Sequence, residues 1–194
     1  KSPGSLLVKS DGSLWGVGPF MDGPNVTHNV GPRMLDAGPV ASYSIGGDHS
    51  YNIALWARPD GSLWGVGHHN GGCFGDGNNS HYWTPKQLLP SGVAKVAMGV
   101  NHSLIVMSDG SLWAAGQNGY GQLGDGTYQM RPVRIKVVDA NVTAAFAGEN
   151  FSLFLKTDGT LWGMGSNFAG QLGNGTMVDS LIPVQANVTN AASF

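Results

Sequence analysis

One short motif recurs along the chain at a fixed interval and limits what the chain can fold into. The motif reads Asp-Gly-(Ser/Thr)-Leu-Trp, and successive copies begin 49 residues apart, at Asp11, Asp60, Asp109 and Asp158. Four periods of 49 residues nearly equal the chain length of 194 residues, so the repeat accounts for almost the whole sequence. We therefore expect a single domain, residues 1–194, built from four similar units.

Each copy of the motif has the composition of a β-hairpin. Asp-Gly favours a tight turn because glycine adopts positive φ without steric cost. An apolar run such as Leu104–Met107 precedes the turn, and the Leu-Trp pair with its glycines follows it. A Gly/Asn-rich loop and a further apolar run complete each of the last three units, and no helical periodicity is present. The pattern predicts about four short strands per unit.

Prolines mark the last strand of three units. Pro85, Pro132 and Pro183 each follow a Gly-rich loop and precede an apolar run. Proline has no N–H to donate to a ladder, so it favours the edge of a sheet. We expect these three runs to be edge strands.

A histidine also recurs, and its spacing from the motif differs between units. His102 stands 7 residues before Asp109, whereas His49 stands 11 residues before Asp60. This difference predicts a strand with a four-residue insertion near Trp56 in the second unit. We interpret the two histidines as structural, because a residue fixed by a repeat usually serves the fold.

Four short strands per unit, Gly-rich turns and one tryptophan per motif are typical of the blades of a β-propeller. The run Ala97–Thr127, AMGVNHSLIVMSDGSLWAAGQNGYGQLGDGT, resembles the repeat of the regulator of chromosome condensation family. Ala147–Thr176 is similar, with Phe151 in place of histidine. The second unit has Cys73-Phe74 for Gln-Leu, and the first lacks the GQLGxGT segment. The resemblance implies an all-β propeller fold. It does not imply one function, since such repeats occur in a nuclear exchange factor and in secreted β-lactamase inhibitors.

The two ends of the chain match complementary parts of one unit. Residues 188–194 correspond to the first strand of a unit, and Ser5–Ser10 corresponds to the strand that follows. We therefore expect a four-bladed β-propeller in which the N-terminal strand completes the last blade. That strand could act within its own chain or in a neighbouring chain. Propellers of the resembled family usually have seven blades. A fragment of a seven-bladed exchange factor is disfavoured here because the ends complement each other.

The composition excludes several classes of function. Charged residues make up 11% of the chain and the net charge is −2, so no basic surface for nucleic acid is expected. No apolar run approaches the ~20 residues of a membrane-spanning helix. A surface with so little charge offers weak repulsion between copies, which favours association. The predicted partner is the chain itself, with another protein as the alternative.

The expected location is extracellular. The sequence begins at Lys1 without methionine, as a mature chain does after removal of a signal peptide, although a trimmed chain would look the same. Cys73 is the single cysteine, so no intrachain disulfide is expected.

Two clusters could bind metal ions, but neither has the expected spacing. His68, His69, Cys73 and His81 offer ligands for a transition metal, yet they fit no standard zinc pattern. Asp76, Asn78, Asp125 and Asn174 offer oxygens for calcium, but the EF-hand spacing is absent. Aspartate and asparagine in such Gly-rich loops more often form turns. We predict no metal site and no cofactor, and bound calcium stays an open question.

No catalytic constellation recurs in the repeats. A nucleophile paired with a histidine and a carboxylate is not recognisable, and no Gly-rich phosphate loop precedes a helix. We therefore expect a protein without catalytic residues and without enzymatic activity.

Several apolar and aromatic residues depart from the repeat and lie in or after the long loops. The simpler interpretation is that they cover their own blade. The functional interpretation is an exposed rim that binds another chain. These candidate interface residues are Phe20, Met21, Tyr82, Trp83, Tyr128, Met130 and Met177.

Two functions fit these features. The first is a non-catalytic, extracellular structural protein that self-assembles into a fibre, a tube or a surface layer. The second is a monomeric binding module or inhibitor that grips a protein partner with one face of the propeller.

Overall fold

The computed structural model describes residues 4–18, 31–47, 52–68 and 71–188, and the regular elements in these residues are all β-strands. The strands pair antiparallel in four sheets, which we call blades 1 to 4 in chain order. Blade 1 contains β1 (Ser5–Val8), β2 (Leu14–Val17) and β3 (Arg33–Asp36). Blade 2 contains β4 (Ser42–Gly47), β5 (Asn52–Ala57), β6 (Leu63–Gly67) and β7 (Tyr82–Leu89). Blade 3 contains β8 (Val93–Met98), β9 (His102–Met107), β10 (Leu112–Gly116) and β11 (Arg131–Val138). Blade 4 contains β12 (Val142–Ala147), β13 (Phe151–Lys156), β14 (Leu161–Gly165) and β15 (Ser180–Gln185). The predicted all-β, four-bladed architecture is confirmed.

A repeated relay of hydrogen bonds shapes the central hairpin of every blade. In blade 3, Asp109 Oδ1 accepts bonds from the Ser111 N–H at 2.8 Å and from its hydroxyl at 2.6 Å. Trp113 Nε1 in turn donates to Ser111 Oγ at 3.0 Å. The glycine between them, Gly110, has φ of +81°, which explains the Asp-Gly pair. The other three hairpins repeat these bonds, which start at Asp11, Asp60 and Asp158. Hydrogen bonds from Ser or Thr hold the pKa of all four carboxyls below the usual value.

A cation covers each of the four repeat indoles. The distance from the charged group to the ring centroid runs from 3.7 to 5.6 Å. Each contact combines a cation–π attraction with packing of the aliphatic stem on the ring. The cations are Lys9, Arg58, Lys136 and Lys156. Four of the ten Lys and Arg residues therefore lie over the tryptophans of the hairpins.

The core lies between the blades. Three clusters of buried apolar residues join blade 1 to blade 2, blade 2 to blade 3, and blade 3 to blade 4. We call the side of a blade that faces the next blade in the chain its forward face, and the opposite side its backward face. At two of these junctions, a forward leucine, Leu55 or Leu104, shares a cluster with a backward residue, Ile105 or Phe154. All four of these side chains are fully buried.

Trp56 corrects the prediction of a lengthened strand. β5 has six residues, like β9 and β13, and Trp56 pairs with Trp64 as Ile105 pairs with Trp113. The four extra residues fall between Gly46 and Ile53, partly in the stretch 48–51 outside the described residues. The prediction was wrong because it aligned the units on His49 rather than on strand register. Ile53, not His49, is the register counterpart of His102.

Asp36 explains why blade 2 has a tryptophan at this position. The Trp56 Nε1–H donates to Asp36 Oδ2 across the junction between blades 1 and 2. Arg58 Nε and Nη2 each donate to the same carboxylate at 2.8 Å. Burial raises the pKa of Asp36, but the hydrogen bonds from Arg58, Gly38 and Trp56 outweigh it and lower the pKa below its usual value.

His102 spans the junction between blades 3 and 4. It is fully buried, and its Nε2 lies 2.9 Å from the Oγ of Ser152 in β13. Ser152 Oγ donates to the carbonyl of Gln122 at 2.8 Å, so the Nε2–H donates to the serine. Burial lowers the pKa of His102 to about 4, and the ring is neutral near pH 7. The structural role expected for this histidine agrees with its position.

Blade 1 has an open inner edge among the described residues. β1 pairs with β2 from Ser5↔Val17 to Val8↔Leu14, and no strand is described on its other side. The segment expected there begins at residue 188, and residues 189–194 lie outside the described part of the chain. Completion of this blade by the C-terminal segment, in its own or a neighbouring chain, stays a prediction.

We predict that His102 makes the fold sensitive to acid. The unfolded chain takes up a proton near pH 6.5, whereas the folded chain does so only near pH 4. The free energy of unfolding is therefore at its full value above pH 6.5 and falls by roughly 3 kcal/mol as the pH drops to 4. In H102F, which places at this position the residue type of Phe151 in blade 4, this part of the loss should vanish. Urea unfolding followed by tryptophan fluorescence at pH 7.5 and 4.5 measures it, and equal losses in both proteins would contradict the assignment.

Candidate functional site

The Gly-rich loops of blades 2 and 3 each rest on the outer strand of the blade that follows. In blade 2, Gly77 N donates to the carbonyl of Pro132 in β11 at 2.9 Å. In blade 3, Gly126 N donates to the carbonyl of Leu181 in β15 at the same distance. The contact is so close that a Cβ at Gly121 would lie 2.5 Å from the Leu181 side chain. These loops, with the residues that follow them, form one rim of the propeller.

Prolines of the outer strands lie at sheet edges, as predicted. Pro85 and Pro183 occupy equivalent register positions in β7 and β15, each the outer strand of its sheet. Pro132 lies in the outer strand β11 but two register positions earlier. The equivalent position of blade 3 is Arg134.

Carboxylates of the loops are engaged within the loops. Asp125 Oδ1 accepts bonds from Thr127 and Asn118, and its Oδ2 lies 2.7 Å from Arg131 Nε. Burial raises the pKa of Asp125, but these bonds outweigh it and lower the pKa. Among the described residues, the oxygens that were considered as calcium ligands stabilise turns instead. This agrees with the interpretation of these aspartates and asparagines as turn residues.

Asp76 and its neighbours form the equivalent network in blade 2. Its carboxylate accepts bonds from the hydroxyl of Tyr82 and from Asn78, and Lys86 Nζ lies 3.2 Å away. Burial raises the pKa of Asp76, but these contacts outweigh it and lower the pKa.

Cys73 and the nearby histidines do not converge as a metal site in the described residues. The rings of His68 and His81 stack with centroids 3.8 Å apart, and His69 lies outside the described part. Cys73 is fully buried in the core between blades 2 and 3, and burial raises the pKa of its thiol to about 12. No group of three possible ligands occurs among the described side chains.

Apolar side chains are exposed along the loops of blades 3 and 4. Tyr128 is 63% exposed, Met177 73% and Phe168 74%. We call this surface the apolar rim, and it comprises Tyr120, Tyr128, Met130, Phe168, Met177 and Val178. Its charge is low, because the nearby Arg131 is paired with Asp125. Such exposed apolar surface is typical of contacts between proteins.

The other candidate interface residues lie elsewhere. Tyr82 is half-buried and stacks on Phe74 of its own blade, with ring centroids 5.1 Å apart. Trp83 is half-buried too, and its carbonyl accepts a bond from Arg33 Nη2 at 2.8 Å. Phe20 and Met21 lie outside the described residues. Tyr120 and Phe168 were not among the predicted interface residues, because both lie inside the loops that belong to the repeat.

Arg134 carries a half-buried guanidinium without an acceptor among the described residues. Its Nε is buried and has no hydrogen-bond partner, and burial lowers its pKa. The residue packs beside the loop of blade 2, where a Cβ at Gly75 would lie 3.1 Å from the Arg134 Cβ. The Asp76 carboxylate acts in the opposite direction and raises the pKa of Arg134, but it accepts no hydrogen bond from the Nε–H, so the side chain is suited to receive a carboxylate from another molecule.

A concavity of about 460 Å³ opens where the inner strands of the blades meet. It is lined by Gly4 and by the segments 45–47, 98–100 and 147–149. Glycine is required there, because a Cβ at Gly46 would collide with the carbonyl oxygen of Gly99. Glu149 contributes the only carboxylate of this described lining.

The described part of the chain contains no helix long and apolar enough to cross a membrane.

Known structures resemble the chain over most of its length. The crystal structure of human WBSCR16 matches 95% of the chain and 51% of its own chain, with a TM-score of 0.80 and 22% identity. Yeast RCC1 (Prp20) in complex with Kap60 matches 95% of the chain and 48% of its own, with a TM-score of 0.77 and 19% identity. Prp20p from Saccharomyces cerevisiae, in a study of its binding to Gsp1p and histones, matches 95% and 49%, with a TM-score of 0.76 and 19% identity. The chain thus spans about half the length of these structures, and the likeness establishes the fold.

Sequence models identify the family. The model described as Regulator of chromosome condensation (RCC1) repeat matches residues 60–106, 109–155 and 158–192. A second model with the same description matches residues 93–122 and 142–171. The search of curated proteins gives no match. Because the first model covers more than half of the sequence, the chain belongs to the regulator of chromosome condensation repeat family.

Proposed function

We propose that this protein is a non-catalytic building block that associates with copies of itself into a larger assembly outside the cell. One observation carries the proposal. Leu7 in blade 1 pairs with Trp15 and so holds the register position of Trp56, Ile105 and Phe154. Those three side chains are fully buried, whereas Leu7 is 40% exposed. An apolar position that the fold buries in the other blades is left open to solvent in blade 1.

The composition supports association between copies. A net charge of −2 and a charged fraction of 11% give little electrostatic repulsion between copies. Several of the cations also lie over the repeat tryptophans instead of projecting freely into solvent. The extracellular location is part of the proposal and rests on the sequence alone.

A second candidate function is the binding of a different protein through the apolar rim. Arg134 favours it, because a half-buried guanidinium whose Nε has no acceptor among the described residues can receive a carboxylate from a partner. The similar yeast propeller is described as bound to Kap60, a protein partner. In this candidate the rim supplies the apolar area and Arg134 supplies a directional, charge-assisted contact.

The mass of the native protein tests the first function. We expect light scattering at micromolar concentration to give a mass well above the 20.2 kDa of one chain, and negative-stain electron microscopy to show regular particles or filaments. A single 20.2 kDa species across this range would contradict self-assembly and leave the second function.

Variants of the rim test the second function. The double substitution Tyr128→Ser with Met177→Ser should abolish capture of a partner by the immobilised protein, because it removes two exposed apolar side chains. Gln129→Ser, at an exposed polar position between two rim residues, is the matched control and should leave capture intact.

Arg134→Gln is the second test of partner binding. It removes the charge but keeps the Arg134 N–H, which donates to the carbonyl of Gly75 at 3.2 Å, so the blade should stay folded. Capture should weaken about tenfold through loss of a charge-assisted bond. Undiminished capture by this variant would remove Arg134 from the site.

A further inference from the structure

Both ends of the blade series expose faces that the fold buries elsewhere. Leu153 in β13 pairs with Gly163, as Leu55 pairs with Gly65 and Leu104 with Ala114. Leu55 and Leu104 are fully buried by the following blade, whereas Leu153 is only half-buried. The forward face of blade 4 is therefore incompletely covered.

Glycines of the loops show the same difference. A Cβ at Gly124 in blade 3 would come 2.3 Å from Met164 Sδ of blade 4. At Gly173, the equivalent position in blade 4, the nearest atom belongs to Ala186 of the same blade, at 3.5 Å. At Gly170 no atom would lie within 4 Å. The loop of blade 4 has the shape of the other loops but rests on no outer strand among the described residues.

The forward face of blade 4 also has a large apolar group on its inner strand. Phe146 pairs with Leu153 and is 45% exposed, whereas Ala97, its register counterpart in blade 3, is 7% exposed. The rings of Phe146 and Phe151 lie 6.0 Å apart. The exposed forward face is thus apolar from its inner strand, β12, to the hairpin strand β13.

The backward face of blade 1 is the complementary surface. Leu7 stands where the backward faces of blades 3 and 4 have Ile105 and Phe154. Val17 stands where blade 4 has the fully buried Met164, yet it is only half-buried. At the junctions inside the chain, a forward leucine meets such a backward residue within one core cluster. Blade 4 therefore carries the forward leucine of such a pair, Leu153, and blade 1 carries the backward residue, Leu7.

We propose that blade 4 of one copy docks its forward face on the backward face of blade 1 of a second copy, repeating the junction that joins blades within the chain. This inference rests on the proposed self-assembly and names its contact. The two surfaces differ, so the contact is head-to-tail and generates a ring when it closes and a filament when it does not. Leu153 of one copy and Leu7 of the next occupy the places of Leu104 and Phe154.

Two single substitutions and their mixture test the geometry. In L7E the backward face of blade 1 carries a charge, and in L153E the forward face of blade 4 does. Each variant alone should associate at least about tenfold more weakly than the wild type, because the junction would bury an unpaired carboxylate. An equimolar mixture should regain association, since the intact forward face of L7E fits the intact backward face of L153E. The mixture should stop at pairs of about twice 20.2 kDa, measured by light scattering.

Control variants distinguish loss of this contact from unfolding and from a contact through the apolar rim. Circular dichroism and tryptophan fluorescence establish that each variant is folded, and Phe146→Glu serves as a second forward variant because its ring is already 45% exposed. Tyr128→Ser on the rim should leave assembly unchanged. Assembly of L7E or L153E alone, or failure of the mixture to regain it, would overturn the head-to-tail contact while self-assembly stood. A monomeric wild type would overturn both.

Discussion

Burial of one blade by the next is the constraint on which the structure depends. No blade contains its own core: Leu55 is buried by blade 3 and Leu104 by blade 4, and each lies in a cluster with the backward residue of the following blade. A sheet with two apolar faces cannot be stable alone in water, so each unit needs neighbours. Polar links reinforce the junctions, with Asp36 between blades 1 and 2 and His102 between blades 3 and 4.

The hairpin relay has a different role, because it acts within a blade. Asp109, Ser111 and Trp113 are bonded over five residues of sequence, so the turn can form before any junction exists. The indole that results is held against the sheet by its N–H and by a cation on its face. Local order at the hairpin and nearest-neighbour packing at the junctions together explain how a low-charge, Gly-rich chain specifies one architecture.

Much of the fold was predictable, because the repeat consists of residues with strong local conformational preferences. The Asp-Gly pairs predicted the hairpin turns, and the apolar runs predicted the strands. The insertion was wrongly placed near Trp56 because the units were aligned on His49, whereas Ile53 is the register counterpart of His102. The bond from Trp56 to Asp36, 20 residues away in another blade, is not visible in any local pattern either. Less of the candidate site could be predicted from the sequence. Tyr82 and Tyr128 look alike in the chain, yet one packs on Phe74 and donates to Asp76 while the other is 63% exposed. Arg134 stands out only after strand register shows proline at its position in blades 2 and 4.

The contact of the blade 2 and blade 3 loops with the next outer strand determines where the protein opens most easily. The backbone N–H groups of Gly77 and Gly126 donate hydrogen bonds to β11 and β15 of the following blades, whereas the blade 4 loop packs on no described outer strand. Local opening therefore costs least at this end, where the 166–176 loop and the adjoining half of blade 4 should exchange backbone amide hydrogens fastest among the complete blades. Protection would rise toward the central junctions, so the blades form a graded series rather than one uniform cooperative block.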